Sequence, residues 1–302
     1  MRKWLAYAPE VALAACLGPL AVRLAFRDRV PGLATVTYAT PVCLLAGLAA
    51  VACVLAWQAR KPALARAAGV LALVLGIWTL AANVSLHAPG ATGRYRGLLW
   101  NIEAGHRGWD RVAAHVRHQN PDLAAFIDVG HTPGMRSPAL NLALADRAVY
   151  WWNDALALAV RGRILDTRYE SLGFASHAGI AHVEIDGRPF TVVIVHPRSA
   201  PTLSRAGAFA ALHDVLEPLR GEPLLVMGDF NTPSDSVFFD PIRERFHSAF
   251  ETAGIGFAGS WPMPIPVLAL DQVWSTDAVP IKSCHLSGTS ASDHRMVSFS
   301  FD

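Results

Sequence analysis

"LLVMGDFNTPSDS", residues 224–236, runs four apolar residues and a glycine into an aspartate and an asparagine that flank a phenylalanine, and only then turns polar. A short continuous apolar run bounded by turn formers is the pattern of a strand buried on both faces. Asp229 and Asn231 therefore stand at the end of a buried strand, where a polar group serves either turn chemistry or a ligand. The arrangement recurs: Asn101 and Glu103 follow "LLW", Asp128 follows "AAFI", His196 follows "TVVIV", and Asp293 with His294 precedes "RMVSFSF". A single Asp or Asn after a strand is usually a turn former. So many strand ends carrying carboxylate, carboxamide or imidazole point instead to a shared site, because ligand sites in layered sheet proteins gather at strand ends.

Around these positions, from about Arg94 onward, short apolar runs alternate with amphipathic segments. "YRGLLWNI" reads as a strand, "WDRVAAHVRHQN" from Trp109 as a helix stopping before Pro121, and "DLAAFIDV" as the next strand. "DALALAVRG", "IAHVEI", "FTVVIVH", "PLLVMGDF", "LDQVW" and "RMVSFSF" also read as strands, and "LSRAGAFAALHDVLEPL" as a helix. Some eight strands with two or three helices give a layered α/β or α+β domain over 94–302. Loops at 131–150 and 197–206 carry no recognisable motif.

The first 88 residues are different in kind and account for the 52% hydrophobic composition. Residues 35–57 and 67–86 contain no charged residue, and each reaches the ~20 residues that cross a bilayer core as a helix. A third apolar segment, 5–26, is interrupted by Glu10 and Arg23; Glu10 is expected near one interface, with Arg23 snorkelling to the other. The "LAAC" at 13–16 resembles a lipoprotein cleavage box by coincidence only, since the apolar run continues past Cys16. The expectation is a multi-pass region in the inner or plasma membrane. Basic residues divide evenly between the two sides of the spans, and Arg2 and Lys3 tilt the reading toward a cytoplasmic N-terminus and an external, periplasmic-side domain.

Residues 1–86 hold eight Lys and Arg against two acids, leaving 18 basic and 22 acidic residues for 87–302, so the chain's +2 divides into +6 and −4. A net-negative second domain lacks the basic footprint of a protein that grips nucleic-acid backbones. Three of the four cysteines lie in the apolar segments and Cys284 is alone in the remainder, so no disulfide framework exists. Oxygen donors without a Cys or His cluster suit Mg²⁺ or Mn²⁺ better than zinc. A carboxylate-bound divalent ion beside an Asp, an Asn and two His is what phosphoester hydrolysis requires: charge neutralisation at phosphorus, a positioned water, and a group that stabilises the leaving oxygen.

"LLWNIEAG", "PDLAAFID", "VIVHPRSAP", "MGDFNTPSD", "LDQVW" and "SDHRMVSFSF", in that order, resemble the endonuclease/exonuclease/phosphatase superfamily, whose members include DNase I, abasic-site endonucleases, neutral sphingomyelinases and inositol polyphosphate 5-phosphatases. The likeness covers about 94–302, and with the "SWP" at 260–262 and the preceding apolar helices it looks most like membrane-anchored bacterial members. It implies a DNase I-like α+β sandwich of two mixed sheets flanked by helices. It also implies roles. Asn101 and Glu103 match the first-strand asparagine and acid that contact phosphate and metal. Asp229 matches the aspartate acting on the attacking water, and Asn231 the asparagine holding nucleophile or phosphate. Asp293 matches a metal-side carboxylate, His294 the histidine facing the phosphorus or leaving group, Asp271 the acid that orients it, and His196 the second histidine.

Two positions depart from that pattern. Asp128 stands where the resemblance expects the glutamate that is the principal metal ligand, one methylene shorter and thus ~1.5 Å short unless the backbone advances or water bridges. Gln272 replaces a histidine in "LDQVW" at a position read as structural. Other residues have plain readings. His115 and His118, one turn apart without accompanying carboxylates, read as a solvated helix face; Trp151, Trp152 and Trp261 read as core or interfacial packing. Glu170 and Glu184 compete as partners of His196.

The function expected is a membrane-anchored, divalent-metal-dependent phosphoesterase using an activated water in-line. The tether favours lipid or headgroup phosphoesters, with no protein partner evident. The alternatives are a metal-dependent nuclease acting on DNA and a catalytically degenerate membrane protein.

Overall fold

A computed structural model of the chain describes residues 7–88, 92–130, 137–153 and 155–302. Part of the 131–150 loop, and Arg2 and Lys3, fall outside the described residues. The chain divides into two compact units: Met1–Val84 with Ala200–Ser204 and Asp235–Val237, and the remainder.

The first unit is helical: Ala8–Phe26, Leu33–Ala39, Val42–Gln58 and Pro62–Asn83. Ala8–Phe26 and Pro62–Asn83 are long and apolar enough to cross a membrane. The uncharged run 35–57 is not one helix. It breaks at Thr40 and Pro41, and the two pieces meet at 71°, because proline has no N–H to continue the ladder and excludes its predecessor from the α conformation. Buried positions are small where the helices meet, as at Ala49, Ala52, Ala56, Ala65 and Ala68, while Leu73, Val74, Ile77 and Leu80 stay exposed. Helices apolar on all faces, packed through small residues, suit lipid surroundings. Glu10 is paired with Lys61 at 2.6 Å. Arg23 does not snorkel. It is only 6% exposed, ion-paired with Asp235, and its Nη2 donates to the carbonyls of Thr37 and Thr40 at 2.6 and 3.3 Å. Carboxylate and carbonyl oxygens thus replace the water that a guanidinium among apolar helices gives up.

The second unit is built on two mixed sheets. One has eight strands, in the order Val84–Leu86, Gly254–Phe257, Ile281–Ser287, Met296–Phe301, Tyr95–Asn101, Leu123–Ile127, Leu156–Val160, Ala148–Trp152. The other has six: His247–Ser248, Asp271–Ser275, Leu224–Asp229, Arg188–His196, His177–Ile185, Arg163–Ser171. Tyr95–Asn101 runs parallel to Leu123–Ile127, and Arg188–His196 parallel to Leu224–Asp229; the other pairs flanking these four are antiparallel. Helix Trp109–Gln119 ends at Asn120, left-handed at φ +43°, before Pro121.

The quoted apolar strand shows why it lacks alternation. Leu225 and Met227 face the inter-sheet core with Leu99, Ile127, Ile194 and Val273. Leu224 and Val226 face outward, under Phe209, Leu212 and Leu216 of helix Ala206–Leu216. On the far side Trp100 and Phe126 pack beneath Val112 and Val116 of helix Trp109–Gln119. The result is a four-layer sandwich, and the two-residue period places Asp229 on the inter-sheet face. Gly228 is forced: a Cβ there would lie 2.0 Å from the carbonyl oxygen of Val195 on the parallel neighbour. Gly228→Ala should destabilise this unit by about 3 kcal/mol, since a backbone carbonyl cannot step aside as a side chain can. The check is the thermal midpoint of the full chain in detergent; an unchanged midpoint contradicts this close approach.

Candidate active site

Asp229, 1% exposed, ends its strand directly opposite Asp271 on the antiparallel neighbour. Its Oδ2 accepts from Asn101 Nδ2 at 3.0 Å, and its Oδ1 from the Asn231 backbone N–H at 2.9 Å. These bonds hold the carboxylate from both sides and join the strand ends of the two sheets. Asn231 is fixed in turn, donating from Nδ2 to the Pro197 carbonyl at 2.8 Å while its own carbonyl accepts from Arg205 Nε at 3.1 Å.

His294 lies 2.7 Å through Nδ1 from Asp271 Oδ2, with Nε2 3.8 Å from Asp229 Oδ2. Burial pulls the imidazole's pKa down, but Asp271, Asp229, the hydrogen bond to Asp271 and Asp293 together carry it up to about 10. The enclosing carboxylates thus favour the charged form of the imidazole. Asp229, Asp271 and His294 offer ligand atoms within 4.8 Å of one another, a group of a kind able to hold a metal ion.

Glu103 and Asp293 are linked to one another nearby. Glu103 Oε2 accepts the Asp293 N–H at 3.2 Å and pairs with Arg107 Nε at 2.7 Å. Asp293 Oδ2 accepts from Trp261 Nε1 at 3.0 Å. Asp128 adjoins them through the backbone: Ala104 donates to the Asp128 carbonyl at 2.7 Å. Ser292 Oγ donates to the Asn101 carbonyl at 2.7 Å and ties the "SDH" turn to the first strand.

Glu103, Ala104, Asp128 and Asn231 all have φ between +47° and +50°. Left-handed backbone costs non-glycine residues energy, and such residues cluster where a site demands a geometry. Aspartate tolerates that region better than most side chains, which suits residue 128 to its place.

His196 is level with this group, since Val195 pairs with Gly228 one step earlier. Its cross-strand neighbour is His177, not either candidate acid: Glu170 pairs with Arg168 at 3.2 Å and Glu184 with Arg163 at 2.8 Å. Gln272 donates to the carbonyls of Thr232 and Ala269 at 3.3 and 3.2 Å, a bracing role for the loop after Asn231. His115 is not on a solvated face. It is edge-on to Trp100 at 5.8 Å and bonded to Thr289 Oγ1 at 2.8 Å. Trp152 is core, 3% exposed. Trp261 is more than packing: its ring centroid is 6.4 Å from that of His294 while its indole N–H holds Asp293. Nothing local in "SWP" signals this contact, because Asp293 lies 32 residues away.

A DNase I-like pair of sheets with a carboxamide-braced aspartate and an Asp–His pair at the facing strand ends is that of a phosphoester hydrolase. The chain belongs to the Endonuclease/Exonuclease/phosphatase family, whose model matches residues 98–294. Solved structures agree in fold at low identity. A functionally unknown conserved protein from Enterococcus faecalis V583 superposes with a TM-score of 0.58 at 15% identity, covering 68% of this chain and 99% of that one. A humanized D. rerio TDP2 gives 0.58 at 14%, covering 69% and 98%. The mannosyl-6-phosphatase of Bacteroides thetaiotaomicron VPI-5482 gives 0.57 at 14%, covering 69% and 99%. A search of curated proteins finds no significant match.

Proposed function

We propose that the protein is a membrane-anchored, divalent-metal-dependent phosphoesterase that hydrolyses a lipid or headgroup phosphoester by in-line attack of water. The observation carrying this reading is the continuous set Asn101–Asp229–His294–Asp271, a base and a cation held 3.8 Å apart at the strand ends. Asp229, oriented by Asn101 and Asn231, takes the proton of the attacking water. Asn101 and Asn231 bind the phosphoryl group. His294, aimed by Asp271, donates to the oxygen that gains charge in the transition state, and His196, level with Asp229 on the adjacent strand, is the second histidine at the phosphoryl group.

Glu103, Asp128 and Asp293 are the residues that would hold the metal. Their donors are all hard oxygens, as Mg²⁺ or Mn²⁺ prefers. Asp229, Asp271 and His294, whose ligand atoms lie within 4.8 Å of one another, are a second set able to hold it. When bound, the ion neutralises charge on the phosphoryl oxygens.

The anchoring part rests on the two long apolar helices. The lipid part rests on the tether and on the −4 charge of residues 87–302, which disfavours a nucleic-acid track. The test is turnover by the full chain in detergent of bis(p-nitrophenyl) phosphate, p-nitrophenyl phosphate, sphingomyelin and supercoiled DNA, with Mg²⁺, Mn²⁺ or EDTA. Turnover that EDTA removes is expected, with the lipid preferred; preference for DNA makes the protein a nuclease. Silence on every ester with both metals rejects the reading.

A further inference from the structure

A cavity of about 290 Å³ in the helical unit is lined by none of the residues of the strand-end site. Every residue lining it lies in Met1–Val84 or Asp235–Val237. Helices Ala8–Phe26 and Pro62–Asn83 start close together, where Glu10 meets Lys61 at 2.6 Å, and toward their other ends Arg23, Leu24 and Trp78 line the cavity. At 1.5 Å per residue Trp78 stands about 26 Å along its helix from Lys61, close to the ~30 Å of a bilayer core. In a bilayer the Glu10–Lys61 pair and the cavity thus sit at opposite faces, the cavity at the level of the head groups, where tryptophan is favoured.

The cavity wall carries charges of both signs. Arg23, nine-tenths buried, is ion-paired with Asp235 and donates to two carbonyls, and its Nε–H meets no acceptor among the described residues. Arg27 donates from Nη2 to the Asp235 carbonyl at 2.6 Å. Asp28, 3% exposed, accepts from the Tyr38 hydroxyl at 2.9 Å and from the Val237 N–H at 3.1 Å, both neutral donors. Two guanidinium groups and two carboxylates therefore face one space. A plain anion placed there meets two carboxylates, and a plain cation meets two guanidinium groups, so the ligand that matches carries one charge of each sign. The flank beside it is apolar: Leu24, which lines the cavity, is 67% exposed, and Val74 and Ile77, near Trp78 on its helix, are exposed as well. A small polar ligand leaves that flank bare, whereas an amphiphile covers it.

We infer that the cavity takes the head group of an ethanolamine phospholipid, its phosphate at Arg23 and Arg27, its ammonium between Asp28 and the Trp78 ring, and its acyl chains along the exposed flank. Guanidinium N–H groups are strong donors to phosphate oxygens. A primary ammonium offers three N–H donors to Asp28 and a charge to the indole face, while a quaternary choline has no N–H to give. The inference rests on the anchoring part of the reading above and not on its chemistry.

The experiment titrates the full chain in detergent with dioleoyl phosphatidylethanolamine, phosphatidylcholine and phosphatidylglycerol and reads the bound lipid by native mass spectrometry. The wild type should bind the ethanolamine lipid about tenfold more tightly than either of the others, the worth of one charged hydrogen bond. Asp28→Asn should abolish that preference, and Trp78→Leu should weaken binding of the ethanolamine lipid about threefold. Asp229→Asn should keep the preference, which sets the cavity apart from the strand-end site. Equal affinities, a preference for phosphatidylglycerol, or a preference that survives Asp28→Asn or disappears in Asp229→Asn overturns the proposal. Soluble glycerophosphoethanolamine binding as tightly as the diacyl lipid also overturns it, because the apolar flank then contributes nothing. Should Asp28→Asn fail to fold, Trp78→Leu decides, and an unchanged affinity counts against the site. Release of the chain from membranes by alkaline carbonate without detergent removes the anchoring reading itself.

Discussion

Asp229→Asn lowers kcat for any hydrolysed ester by roughly 10²–10⁴-fold, the range for loss of a general base. The substitution keeps the shape of the side chain and removes its charge. Asn101 Nδ2 at 3.0 Å and the Asn231 N–H at 2.9 Å donate to two oxygens, so a carboxamide can satisfy only one of them. A small loss of stability accompanies the large loss of rate. Steady-state kinetics on bis(p-nitrophenyl) phosphate, with circular dichroism to show an intact fold, is the measurement. Undiminished turnover would move the base elsewhere in the strand-end set.

His294→Ala carries the second large effect, on rate and on stability together. The imidazole supplies the positive charge between Asp271 and Asp229, 2.7 and 3.8 Å away. Both carboxylates are nearly wholly buried. Removing one member of a buried charged pair leaves the other without compensation and costs about 3–5 kcal/mol. The rate should fall by roughly 10²–10³-fold with the lost transition-state donor. Removing the stranded carboxylate as well, in Asp271→Ala/His294→Ala, should recover part of the stability and none of the rate. Chemical denaturation of both variants at neutral pH separates the two. Additive destabilisation in the double variant contradicts direct coupling of the pair.

Much of the sheet domain is written locally. The strands at 95–101, 123–127, 188–196, 224–229, 271–275 and 296–301 are all signalled by apolar runs with polar residues at one end. Strands at 163–171 and 281–287 are not, because charged and polar residues leave them no clean apolar period, and 148–152, though its Val, Tyr and Trp favour a strand, begins inside the stretch read as the 131–150 loop. The break at Pro41 was present in the residues, but an uncharged run of spanning length conceals it. Arg23 illustrates the opposite limit: its partner, Asp235, is 212 residues away.

By itself the sequence determined which polar group ends which strand, and so the family, the sandwich of sheets and the pool of candidate residues. Burial period and turn chemistry are properties of a few consecutive residues, and those are legible in order. Only the tertiary structure decided which ends meet: that Asn101 reaches Asp229, that Trp261 holds Asp293, and that His196 faces His177 rather than an acid. Those contacts depend on strand register and on how the sheets pack, which are set by the whole core at once and leave no mark on the spacing of any one motif.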